Sequence, residues 1–391
     1  MRTVYLDHMA ATPLLPEARA AMMPYFSAQF GNPQSRHALG LAPRAAIASA
    51  RADVARLIGA SPSEIIFTAS GSEANNLALR GVLAARQRKG RHLITSAIEH
   101  FSVAHPMRRL EREGYEVTWL PVDRNGRVNP DAIARALRPD TALVSILHAN
   151  NEVGTLQPIK EIAARVRASG ALFHSDAVGT VGIIPVDVNA LGVDLAAFAA
   201  QSFGGPKGAG ALYVRQGTRL APLIEGGVQE GGRRAGTENV AAIVGMGVAA
   251  SAAWTHLSAQ IPKWCALSAR LIAGLLQAVD RIHLTGDPHH RLPHIASFAV
   301  EFADGEALVR LLEKQGILCA SGSSCSADAL KISPVLTAMG FAANVAQGAI
   351  VLSLGRDTTD ADIDAVLAAF PACVATLRAV SPLYTALRAA P

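Results

Sequence analysis

The feature that most limits what this chain can fold into is an alternation. "EIIFT" (64–68) precedes a helical pattern from Ser72 to Arg86, and "HLITS" (92–96) precedes another around Val103–Arg112. "EVTWL" (116–120) leads into "NPDAIARAL", and "ALVSIL" (142–147) into "PIKEIAARVRA". "ALFHSD" (171–176), "DLAAFAA" (194–200) and "GALYV" (210–214) complete the set of short apolar runs. Strands separated by helices return to the sheet through crossovers and so pair mostly in parallel. The pattern predicts an α/β fold, a mostly parallel sheet sandwiched by helices. In such sheets ligands sit beyond the carboxyl ends of the strands.

From Asn239 the pattern changes to a long Ala-rich helical stretch. After the turn "TGDPHHRLPH" (285–294) come "IASFAVEF", the helix "GEALVRLLEKQ", a Ser/Gly loop and a final helix. A length of 391 residues accommodates two domains. The boundaries expected are a large α/β domain over 15–255 and a smaller α+β domain made from 1–14 and 256–391.

Half the residues are apolar and 17% are charged, enough for a sizeable core and too apolar for disorder. The formal charge of +5 comes from scattered arginines. No basic block marks a nucleic-acid or membrane surface, and small anionic ligands account for some of these arginines. No unbroken apolar run approaches the roughly 18 residues of a membrane span, and the N-terminus has no signal-peptide core. The four cysteines (Cys265, Cys319, Cys325 and Cys373) are widely spaced without a CxxC pair. That argues against a disulfide framework or a metal site and for a reducing compartment, so a cytoplasmic protein is expected.

Several polar stretches fall at the strand ends. In "FTASGSEANNLALRG" (67–81), Ser70, Gly71 and Ser72 put backbone N–H groups and hydroxyls at a helix N-terminus. That suits a phosphate, and it equally suits an ordinary N-cap. "SAIEHFSV" (96–103) places His100 where it can stack on or protonate a ligand, or simply be structural. In "LHANNEVGT" and "HSDAVGT", Asn150, Asn151 and Asp176 end apolar strands, where burial is costly unless they bind something. An aspartate there can keep a ring nitrogen protonated and turn a heterocycle into an electron sink. Cys325 in "ASGSSCSADAL" lies in a Ser/Gly loop before a helix, a setting that favours thiolate. Cys319 reads as core, and Cys265 and Cys373 as structural. Arg356 in "LSLGRDTT" offers a fork for a carboxylate, or a surface ion pair. Arg234 and Thr237 lie in the glycine-rich "GGVQEGGRRAGTEN", able to approach an anion.

Together these stretches resemble the pyridoxal-phosphate cysteine desulfurases, in the class V aminotransferase superfamily of fold type I. The resemblance runs in order from "YLDHMAATP" through "FGNPQSRH", "SEANNLALRG", "EHFSV", "NNEVGTLQPI", "HSDAVG", "GPKGAGALYV", "GGRRAGTENV" and "SGSSCS" to "LSLGR". It implies a fold-type-I aminotransferase-like architecture in a homodimer. By position, His100 would stack on the pyridine ring and Asp176 would pair with its nitrogen. Asn151 would lie near cofactor and substrate, and Arg356 would take the substrate carboxylate. Gly71 and Ser72 would hold the phosphate, with Thr237 reaching it from the partner subunit. Cys325 would be the thiolate that takes sulfur from L-cysteine or a related small molecule and passes it to an acceptor protein.

The departures gather in the cofactor pocket. Where the family has serine, glycine, histidine and the lysine that bonds the cofactor, this chain has Ala199, Ala200, Gln201 and Ser202. A glutamine of the family pattern is Gly179, and an Ala-Thr pair is Gly71-Ser72. Lys207 matches a different lysine, the one in "GPKG", and of the six lysines it alone lies near the expected pocket. A serine cannot form an imine and is a poor base at neutral pH. Three readings follow. One is a desulfurase-like enzyme of sulfur transfer with altered or impaired chemistry, whose pyridoxal 5'-phosphate is non-covalent if bound. The others are a non-catalytic sulfur carrier or assembly platform, and a different reaction in a reshaped pocket.

Overall fold

The computed structural model describes residues 2–86, 90–322 and 332–389. Its strands are β1 (Val4–Tyr5), β2 (Ile65–Thr68), β3 (His92–Ser96), β4 (Glu116–Leu120), β5 (Thr141–Ser145) and β6 (Leu172–Asp176). They continue as β7 (Leu195–Ala199), β8 (Gly210–Val214), β9 (Ile282–Leu284), β10 (Ile295–Val300), β11 (Ile317–Leu318) and β12 (Ala349–Ser353). Seven of them form one sheet in the order β2-β8-β7-β6-β5-β3-β4. The pairs from β4 to β7 are parallel, while β8 runs antiparallel to both β7 and β2. The reversal at β8 has a simple cause. The link from Ala199 to Gly210 is too short for a crossover, so the chain turns back.

Each strand feeds two cores, one per face. Ile65 and Phe67 pack in one cluster and Ile66 in the other; Ile94 and Leu93, Val144 and Leu143, and Tyr213 and Leu212 divide in the same way. That is the two-residue period of a strand with both faces covered. One cover is the helix Gly71–Ala85 with Phe101–Arg112. The opposite face takes Ile47 and Val54 of the helix Ala38–Leu57, a 20-residue element that the strand alternation did not signal. Its buried stripe includes Gly40, Pro43 and Ala50, so small residues carry the pattern and its hydrophobic contrast is weak.

A third core forms around β10, which pairs antiparallel with β9 and β12. The parallel pair β1 and β11 brings Val4 and Leu6 into it. The helix Val240–Ala278 joins the cores, with Ile243 and Met246 in the first and Trp264, Leu267 and Leu271 in the third. By length and composition this helix is long and apolar enough to cross a membrane, with an 18-residue window of mean hydropathy 1.5. Ser, Thr, Gly and His interrupt its apolar residues, so the stretch from Asn239 holds no unbroken run of that length. Half of that window is buried inside the protein.

Candidate functional site

β2, β3, β5, β6 and β7 all point one way, so the loops that follow them meet at one edge of the sheet. After β2 the chain caps the helix Gly71–Ala85. Ser70 Oγ accepts from the Glu73 N–H at 3.1 Å, and the Glu73 carboxylate accepts from the Ala69 N–H at 2.9 Å. The N–H groups of Gly71 and Ser72, at the first helical positions, lack helical partners, the kind of donor that suits an anion. Arg234 Nε donates to Glu73 at 2.8 Å, which ties the glycine-rich loop to this turn. A Cβ on Gly71 would lie 2.5 Å from Val178 Cγ2 and 3.6 Å from Ala199 Cβ, so the turn closes on β6 and β7 only because it has no side chain there.

Asp176 ends β6 and is buried. Burial raises its carboxyl above the usual range, with nearby His100 acting in the opposite direction. Its Oδ1 accepts from the Val178 N–H at 3.0 Å and its Oδ2 from Asn75 Nδ2 at 2.7 Å. The same Asn75 nitrogen lies 2.8 Å from Ser102 Oγ, and Ser102 Oγ lies 2.7 Å from His100 Nδ1. His100 is the N-cap of the helix Phe101–Arg112, its ring accepting from the Ser102 N–H. Beside it, Glu99 is wholly enclosed and burial pushes its carboxyl up to about 8. Glu99 Oε1 accepts from Ser96 Oγ and the Leu147 N–H, and Oε2 has no partner among the described residues.

The asparagine pair after β5 divides. Asn150 is buried and satisfied, its Nδ2 donating to the Ile98 carbonyl and its Oδ1 accepting from Glu152 and Val153 N–H. Asn151 is half-buried and makes no hydrogen bond among the described residues. Burial raises the Glu152 carboxyl to about 7, and Ser333 Oγ donates to it.

After β7, the turn Ala200–Phe203 carries Gln201 and Ser202. Thr12 holds this turn, its hydroxyl donating to the Gln201 carbonyl at 2.7 Å and accepting from the Gly204 N–H at 2.9 Å. Ser202 and Arg356 line one cavity of about 150 Å³, together with His8, Leu15, Trp264 and His294. The Arg356 guanidinium is half-exposed and 3.7 Å from the Glu17 carboxylate. Lys207 is exposed on its turn and does not line this cavity. A Cβ on Gly179 would lie 2.9 Å from Met9 Cε, so the Met9 methyl occupies the space a larger residue at 179 would take. Thr237 is exposed in a groove with Thr68 and Ala69 and makes no hydrogen bond to Gly71 or Ser72 of its own chain.

Cys325 lies outside the described residues. Of the other cysteines, Cys319 is buried and its thiol is pushed up to about 12, and burial also raises Cys373. Cys265 is exposed, against the structural role expected for it. Its apolar neighbours in sequence point elsewhere around the helix, which turns the thiol outward.

Against pyridoxal phosphate the residues divide. A buried acceptor for a ring nitrogen, an imidazole nearby and a helix N-terminus with unused N–H groups all fit. The covalent anchor does not, because among the described residues no lysine lines the cavity beside Ser202. Three residues of this arrangement had not been singled out: Asn75, Ser102 and Met9. Only Asn75 left a signal, as a polar residue among Ala74, Leu77 and Ala78 on a buried helical stripe.

The Aminotransferase class-V profile matches residues 4–366. The cysteine desulfurase IscS of Dictyoglomus turgidum is 45% identical over 381 residues, 97% of each chain. A solved NifS-like protein superposes with a TM-score of 0.90 at 35% identity, over 96% of this chain and 100% of its own. The structure of SspA in complex with cysteine gives a TM-score of 0.77 at 34% identity, over 90% of this chain and 99% of its own.

Proposed function

The chain belongs to the class V aminotransferases, among the cysteine desulfurases, and from that premise we propose that it mobilises sulfur from L-cysteine with a cofactor it does not bond covalently. The observation that carries this reading is the joint presence of Asp176, His100 and the capped turn at Ser70 with Ser202 at the place of the lysine. Pyridoxal phosphate, when bound, supplies an electron sink for the amino acid. Asp176 would accept from its ring nitrogen, His100 would lie against the ring, and the Gly71 and Ser72 N–H groups would take the phosphate. Arg356 would leave Glu17 for the substrate carboxylate, and Asn151 would face the substrate. In the transfer, the Cys325 thiolate attacks the substrate sulfur. An S–S bond forms as the C–S bond breaks, the carbon keeps the electron pair and is then protonated, and alanine leaves with a persulfide on Cys325. An acceptor protein removes that sulfur.

A homodimer belongs to the same reading. Phe26, Phe30 and Val228 are 64%, 67% and 76% exposed, apolar side chains that a second copy could cover, and Thr237 is exposed and could serve the partner's phosphate turn. Light scattering at micromolar concentration is expected to give twice the chain mass, and a monomer would remove both the dimer and the two-chain site.

The decisive experiment is a titration of the purified chain with pyridoxal phosphate and then L-cysteine, followed by visible absorption. A saturable band that borohydride fails to fix to the protein is expected, and Ser202→Lys should make it fixable while recovering only part of a desulfurase's rate. A phosphopyridoxyl-lysine peptide from the unaltered chain would overturn the non-covalent reading. A second reading, a non-catalytic sulfur carrier, is favoured by the Met9 methyl in the space beside Gly179. Its mark is the absence of any saturable band with sulfur still accepted on Cys325 from a small-molecule persulfide, whose S–S bond breaks as the new one forms and whose thiolate leaves.

A further inference from the structure

We propose that Asn75 is a positioning residue that, through Ser102, fixes His100 with its hydrogen on Nε2. The roles of His100 and Asp176 toward a ligand rest on the function proposed above; the relay itself does not. It is determined from the backbone outward. The Ser102 N–H points at His100 Nδ1 at 3.1 Å, so that nitrogen is an acceptor and the ring hydrogen belongs on Nε2. Ser102 Oγ, 2.7 Å from the same Nδ1, must then donate to it as well. With its hydrogen used, that hydroxyl can only accept from Asn75 Nδ2 at 2.8 Å. The second Asn75 hydrogen goes to Asp176 Oδ2 at 2.7 Å. The reversed amide would put Oδ1 against both a carboxylate and an oxygen that has no hydrogen to spare, so the orientation is fixed at both ends. Asn75 and Ser102 are buried, so no water competes for these bonds.

One carboxamide therefore orients two side chains at the carboxyl edge of the sheet. His100 offers a ligand an N–H from Nε2 and cannot accept a proton there, while Asp176 Oδ2 is held as an acceptor. Asn75 Oδ1 has no partner among the described residues, which costs free energy that a role in orientation explains and packing alone does not.

The test is the ring nitrogen-15 spectrum of histidine-labelled full-length protein without cofactor, with His100→Gln identifying the His100 signals. A single tautomer with hydrogen on Nε2 is expected. Asn75→Leu should lower the ratio of Nε2–H to Nδ1–H by roughly tenfold, about what one hydrogen bond supplies. Ser102→Ala should do the same, and Ser102→Thr should restore it. Because the two residues act in series, the double variant should be no worse than Ser102→Ala alone. A resting Nδ1–H tautomer, an unchanged ratio in Ser102→Ala, or additive effects in the double variant would each overturn the proposal. If Asn75→Leu does not fold, the Ser102 variants decide, with unchanged His148 and His174 signals marking the native fold. Failure of pyridoxal phosphate to bind would defeat the proposed function and leave the tautomer result standing.

Discussion

On one side of the site, Asp176, Asn75, Ser102 and His100 join three elements in an unbroken run of hydrogen bonds beside the capped turn at Ser70. On the other, Ala199, Ser202 and Gly179 are small residues, and the space beside Gly179 is taken by a flexible methionine end. The first side is over-determined, since each group there satisfies a buried neighbour and none can change alone without stranding one. On the second side, the side chains of Ala199 and Ser202 make no hydrogen bond among the described residues. Thr12 holds the turn at Ser202 through backbone groups, so the side chain at 202 can change without loosening the turn. The hydrogen-bonded run at Asp176 and the turn at Ser202 are thus held by separate contacts, and either can change without the other.

The largest expected effect lies on neither side. Cys325→Ser should abolish persulfide formation, read by mass spectrometry after incubation with pyridoxal phosphate and L-cysteine, while thermal stability stays unchanged. The measurement needs a Cys265→Ser background, because Cys265 is exposed and will also react. Persulfide persisting on Cys319 or Cys373 would contradict the assignment, since both thiols are buried and raised.

Next is a direct comparison of the two sides by cofactor affinity. Asp176→Asn removes the charge facing a ring nitrogen and should weaken pyridoxal phosphate binding by about 10- to 100-fold, the worth of a hydrogen bond to a charged group. Ala199→Ser should strengthen it by less than about tenfold, as one neutral hydrogen bond would. Equal and opposite changes would erase the distinction between a retained side and an altered one.

The same side also encloses a carboxyl that burial keeps protonated, and pH reads it. Glu99 titrates near 4.5 when unfolded and about 8 in the fold, so between those values the native state holds a proton that the unfolded state has released. Its contribution is full below pH 4.5 and is lost as pH rises toward 8, at up to about 1.4 kcal/mol per pH unit. Glu99→Gln keeps an oxygen for Ser96 and Leu147 and should flatten that decline in urea-unfolding midpoints measured across the window. Identical slopes for the two proteins would mean that Glu99 is ionised in its enclosure.

The smallest effects come from adding one methyl to each side. Gly71→Ala forces a carbon to 2.5 Å from a β-branched methyl of Val178, which is stiff, and should cost about 1 kcal/mol. Gly179→Ala meets only the mobile end of Met9 and should cost less than about 0.5 kcal/mol. A reversed order in thermal unfolding would show the altered side to be the rigid one.

Much of this molecule was written locally. The strand runs fell within a residue or two of β2 to β8, because a two-residue period bounded by turns is a property of neighbours in sequence. The parallel crossovers then gathered Ser70, His100, Asn151, Asp176 and Ser202 at one sheet edge, as the alternation required. The helix Ala38–Leu57 was less legible, its stripe drawn in glycine, proline and alanine that differ little from the exposed face. Tertiary structure alone decided that Asn75 meets an aspartate 101 residues away and a serine 27 away, that Met9 fills the space at Gly179, and that Asn150 is structural while Asn151 is open. No local pattern encodes such meetings. Periodicity fixes which face a side chain takes, but its partner is whatever the packing of distant segments brings within hydrogen-bonding range.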